Sequence, residues 1–144
     1  MNKTSIEEQL KQGIVIQTTV GYSMCPLLIH RKTLVKIEKV NEELQIGDLP
    51  LYKRKDQYVI HRIIGVNNGY YQIRGDNTYT IEQVNKEAVL GKVIEIYRKG
   101  KWFSVNNQKY QFYSKVWMKI YGLREKVVKI KRRIGKWKRH YLGG

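Results

Sequence analysis

Three residue types in this chain could together cut an amide bond: a serine at 23, a histidine at 61 and an acid at 76. A hydroxyl is a poor nucleophile until a base removes its proton. Histidine does that near neutral pH, and an acid can hold its tautomer. Ser23 and His61 are 38 positions apart, and His61 and Asp76 are 15 apart, so only folding can join them. Each also has an ordinary role open to it. Ser23 could cap a turn, His61 could be a satisfied strand histidine, and Asp76-Asn77 is turn chemistry. Arg62 reads as structural, through a salt bridge or a bond to a loop. Cys25 is the sole cysteine, so no internal disulfide forms, and it reads as a small packed side chain. Three scattered histidines and one cysteine give no metal site, and nothing in the chain calls for a cofactor.

The elements that must position these groups are mostly strand-like. Thr4-Ser5-Ile6-Glu7-Glu8 carries two overlapping capping boxes that open a short helix, expected over 4–13 with Gly13 as its stop. Runs of β-branched and aromatic residues follow at 14–20, 33–40, 49–52, 58–66, 70–74, 89–98 and 101–105. Asn67-Asn68-Gly69 and Arg98-Lys99-Gly100-Lys101 read as hairpin turns. Ser23 comes just after the first run, in Gly21-Tyr22-Ser23-Met24-Cys25-Pro26. His61 lies inside Tyr58-Val59-Ile60-His61-Arg62-Ile63-Ile64-Gly65. Alternation there puts it on one face with Val59 and Ile63, which would bury it and favour its neutral, basic form.

Beyond residue 107 the period changes. Trp117, Ile120, Leu123, Val127, Ile130, Ile134, Trp137 and Tyr141 recur at steps of three or four, one stripe on a helix. Gly122 and Gly135 mark places where that helix could bend or break. The net charge of +16 belongs mainly here: residues 109–140 hold 12 Lys/Arg against one acid. Such a basic amphipathic tail could pack on the β domain, lie on an anionic membrane surface or bind nucleic acid. Its apolar stripe favours the membrane surface and makes nucleic acid the weakest of the three. No run approaches the roughly 20 apolar residues a spanning helix needs, and the polar start is unlike a secretory signal. A soluble or peripheral protein made in the cytoplasm is expected. The layout is a β domain over 1–107 and a helical tail over 108–144.

Four short elements, in order, resemble the signal peptidase superfamily, which also contains the self-cleaving LexA-type repressors. They are Ser23-Met24-Cys25-Pro26, Ile46-Gly47-Asp48-Leu49, Val59-Ile60-His61-Arg62-Ile63-Ile64 and Arg74-Gly75-Asp76-Asn77. A histidine, not a lysine, in the third element is similar to the endoplasmic-reticulum and archaeal branch. The resemblance implies a mainly β sheet assembly with Ser23 as nucleophile and His61 as general base. It also implies an oxyanion hole that uses the Ser23 backbone N–H. Some lysine-type members add a hydroxyl two positions before the nucleophile, where this chain has Gly21. In the histidine branch an acid follows Gly-Asp-Asn by five or six positions; those are Ile81 and Glu82 here. Asp76 and Glu82 are therefore both candidates to orient His61, with Asp76 preferred for its motif.

The function expected from this is serine endopeptidase cleavage of a peptide or precursor protein held in extended form. The family implies small side chains next to the cut. Two alternatives stand beside it: a LexA-like protein that cuts its own chain, and a non-catalytic peptide- or membrane-binding module of the same fold.

Overall fold

Ser5 caps the first helix, and the computed structural model describes residues 4–142 of the chain. The Ser5 hydroxyl accepts from the Glu8 N–H, and the Glu8 carboxylate accepts from the Ser5 N–H, both at 3.2 Å. Of the two overlapping boxes the second forms. It opens α1 (Ile6–Gln12), which buries Leu10.

Among the described residues nine strands follow: β1 (Val15–Thr18), β2 (Leu34–Lys39), β3 (Pro50–Arg54), β4 (Gln57–Ile60), β5 (Arg62–Val66), β6 (Tyr70–Arg74), β7 (Ile81–Asn85), β8 (Val89–Arg98) and β9 (Lys101–Ser104). A 3-10 turn at Lys86–Ala88 precedes β8, and α2 (Gln108–Leu142) closes the chain. All pairings are antiparallel. The larger sheet runs β1-β2-β8-β3-β4, with β9 added on β8; the smaller is β5-β6-β7. One apolar core, centred on Val35, Ile37, Leu51 and Ile96, lies under the larger sheet. A second, with Tyr52, Val59, Ile63 and Ile73, joins the two sheets.

Three differences from the sequence reading bear on the site. The run 58–66 is two strands, not one. It leaves the larger sheet after Ile60 and enters the smaller at Arg62, with His61 as the crossing residue. At such a crossing both faces are covered, so alternation no longer separates in from out. His61 and Arg62 are both buried, Arg62 with no exposed surface at all. β7 was not foreseen, because only Val84 among its five residues is buried and its two apolar residues, Ile81 and Val84, do not alternate. Finally, the chain is not mainly β: strand makes up 35 % and helix 31 %. The reason is α2, which runs unbroken for 35 residues through Gly122 and Gly135. Both glycines face open space, so nothing there forces the helix to bend.

Candidate active site

The turn that carries Ser23 is fixed from two sides. Gly21 has φ +99°, a conformation side chains rarely adopt, and its N–H donates to His30 Nδ1 at 2.8 Å. His30, which showed no pattern in the sequence, also stacks on Tyr22 with ring centroids 4.9 Å apart. From the other side Asn77 donates its N–H to the Ser23 carbonyl at 2.8 Å and its side-chain amide to the Tyr22 carbonyl. Gly75 allows this approach: a Cβ there would sit 2.7 Å from the Ser23 carbonyl oxygen and 3.1 Å from His61 Nε2.

His61 Nε2 lies 3.0 Å from Ser23 Oγ. The ring's other nitrogen, Nδ1, is 3.2 Å from the Tyr52 hydroxyl and 3.4 Å from Glu82 Oε2. Tyr52 also donates to Glu82, and Arg54 pairs with the same carboxylate. Burial, then the hydrogen bond to and the charge of Glu82, push the Tyr52 hydroxyl far above its ordinary pKa, so it keeps its proton for that bond. With Tyr52 committed to Glu82, Nδ1 is the protonated ring nitrogen and Nε2 is free to accept from Ser23. The resulting relay is Ser23, His61 and Glu82, with Tyr52 and Arg54 holding the acid.

The electrostatics suit a base. Burial lowers the pKa of His61 below the ordinary 6.5; Glu82 pulls it back up and Arg54 adds to the lowering. The ring is therefore neutral at neutral pH. Burial alone would raise the Glu82 pKa, but its bonds from Tyr52 and Arg54 and the nearby positive charges outweigh that and hold it below the usual range. Near neutral pH the acid is a carboxylate and the histidine a neutral base.

Of the two acids considered from the sequence, Asp76 is engaged elsewhere. Its carboxylate is gripped by Arg62, Nε and Nη2 each at 2.8 Å, with both side chains fully buried. Tyr121 of α2 donates to it at 2.7 Å. Its carbonyl accepts from Trp117 and Arg124, and its N–H meets Met24 Sδ. Arg62 in turn reaches Ser114 Oγ at 2.6 Å and the Tyr110 hydroxyl at 3.1 Å. Asp76 thus pins the loop that braces Ser23, and Glu82 is the acid beside His61. The preference for Asp76 rested on its motif. What separates the two is Arg62, whose buried cation has to be neutralised by the nearest carboxylate.

Tyr52 and Arg54 were missed as members of this cluster. Both project from β3 toward Glu82, and a two-residue spacing on a strand is the one signal they gave. Among the described residues no group of His, Cys, Asp and Glu is arranged to hold a metal ion.

A groove of about 560 Å³ opens at Ser23 and His61. Its walls are residues 17–24, from β1 into the serine turn, and residues 57–61, from β4; Met24, Leu28, Val35 and Leu51 are among its apolar lining. β1 and β4 are the two ends of the larger sheet's strand order, so the sheet curls until its free edges face each other across the groove. Compared with known proteins, the chain matches no family model and no curated protein.

Two outcomes are expected at this site. If Ser23 and His61 cleave peptides, replacing Glu82 with Gln lowers kcat by about 100-fold or more, because the imidazolium formed in that reaction would lose its counter-charge and the ring its tautomer. Steady-state kinetics on a cleaved peptide measures it. The pH profile of kcat/KM for such cleavage would have its acid limb below 6.5, since it needs neutral His61 and burial keeps that ring neutral to lower pH. In Glu82→Gln the limb moves lower still, as the charge that pulls the pKa up is gone.

Proposed function

We propose that this chain is a serine endopeptidase of the signal-peptidase kind. The observation that carries the reading is the 3.0 Å contact between Ser23 Oγ and a buried His61 whose far nitrogen faces Glu82. An isolated strand histidine needs one satisfying partner. This one has a carboxylate and a phenol on one side and a half-buried hydroxyl, open to a groove, on the other.

An extended peptide laid in the groove can add its backbone to the free edges of β1 and β4, which would hold the scissile bond over Ser23. Val20 and Tyr22, both well exposed at the groove, offer apolar surface to its side chains. Ser23 attacks the carbonyl carbon while His61 takes its proton. The N–H of Ser23 faces the developing oxyanion. His61 then gives the proton to the leaving amine, and water, activated by the same ring, hydrolyses the acyl-enzyme. Desolvation in the apolar groove strengthens each of these contacts.

The test is digestion of a mixed peptide library, with products read by mass spectrometry. New termini should appear with the parent protein and vanish with Ser23→Ala. Products that persist in the Ser23→Ala and His61→Ala variants would rule the hydrolase out.

A further inference from the structure

We propose that the outward face of α2 is a docking surface for an anionic phospholipid bilayer. The helix has two faces with different tasks. Tyr110, Ser114, Trp117 and Tyr121 turn inward onto Arg62 and Asp76. Trp117, which the bare periodicity put on the apolar stripe, belongs to this inner face. About 150° round the axis, taking the standard helical rotation per residue, a second row begins at Phe112. It continues through Val116, Leu123, Val127, Ile130, Ile134 and Trp137 at steps of mostly three and four. These side chains are exposed, Phe112 at 71 %, Leu123 at 62 % and Ile130 at 54 %. Tyr141, on the same row, has its side chain outside the described residues. The row runs from Phe112 to Trp137, about three quarters of the 35-residue helix, and all seven side chains are exposed.

A continuous exposed apolar row this long asks for an occupant, and charge selects it. Lys119, Lys126 and Arg133 flank the row on one side, Lys131 and Lys138 on the other. The helix's single acid, Glu125, is already paired with Arg74 at 2.8 Å. A second copy of the chain would need opposite charges at those flanks to zip two helices together. Instead it would set two strongly cationic rods side by side. A nucleic acid would satisfy the cations and leave the apolar row in water. Anionic lipid answers both features: headgroup phosphates take the Lys and Arg, and the acyl boundary takes Leu123 through Trp137. The helix lies in the surface plane; no described helix is long and apolar enough to cross a membrane.

The measurement is co-sedimentation of the full chain with vesicles of phosphatidylcholine, with and without phosphatidylglycerol. The parent should pellet with the anionic vesicles and stay in solution with the neutral ones. The triple variant Val127→Gln, Ile130→Gln, Ile134→Gln, which leaves the charge unchanged, should lose at least tenfold in vesicle affinity at unchanged Tm, because all three side chains already face solvent. The conservative triple Val127→Leu, Ile130→Leu, Ile134→Leu should retain binding. Equal pelleting with both vesicle types overturns the proposal. Undiminished binding by the glutamine triple also overturns it, since the face would then act through charge alone, as it would toward duplex DNA. So does a dimer in sedimentation velocity that the same triple dissolves. Ser23→Ala should bind vesicles like the parent, which keeps this outcome separate from that of the peptidase reading.

Discussion

Ser23→Ala and His61→Ala are each expected to lower kcat/KM by roughly four orders of magnitude or more, and the double variant by little beyond either single. The two groups act as a unit: a hydroxyl without its base and a base without its hydroxyl leave the same gap. Stability should hardly move in Ser23→Ala. Ser23 is partly exposed, and the bond it accepts from Asn77 belongs to its backbone carbonyl, which the substitution keeps. Single-turnover kinetics on one cleaved peptide, with Tm measured in parallel, gives both halves of the result. Losses that add on a logarithmic scale would mean that Ser23 and His61 do not work on the same bond, and would end the proposed mechanism.

The second large effect is on stability. Asp76→Leu is expected to destabilise the fold by about 3–5 kcal/mol, and Arg62→Met by a similar amount, because each strands a buried charge. A Tm fall of about 10 °C or more should follow. Removing both charges, as Arg62→Met with Asp76→Leu, should cost clearly less than the sum of the singles. Thermal melts on the four proteins complete the cycle. At a temperature where Asp76→Asn is still folded, its acid limb should fall by less than that of Glu82→Gln, since Glu82 is the first and Asp76 the last of the charges that hold the His61 pKa up. That contrast separates the acid that holds the loop from the acid that serves the histidine.

The serine and the histidine were legible because each sat in a short, chemically specific stretch, and the hairpin at Asn67-Asn68-Gly69 because tight turns demand such residues. The choice between Asp76 and Glu82 was not legible. It depends on where Arg62 goes, and a crossing residue between two sheets breaks the alternation from which its direction would be read. β7 escaped because an edge strand with one buried side chain has almost no hydrophobic period. The tail's helical character was plain from its period of three to four. Its inner face was not, since Tyr110, Ser114 and Tyr121 bury polar atoms that a hydrophobic pattern does not count.

The inner face of α2 sets a boundary for anyone who shortens this protein. A chain ended near residue 107 would look like a tidy β unit freed of an ornament. It would lack the hydroxyls of Tyr110, Ser114 and Tyr121 that solvate the buried guanidinium and carboxylate, and the indole and guanidinium that cap the Asp76 carbonyl. The serine turn would lose the rear wall of its brace. A cut placed beyond Glu125 leaves that wall standing and takes away the basic stretch together with most of the exposed apolar row.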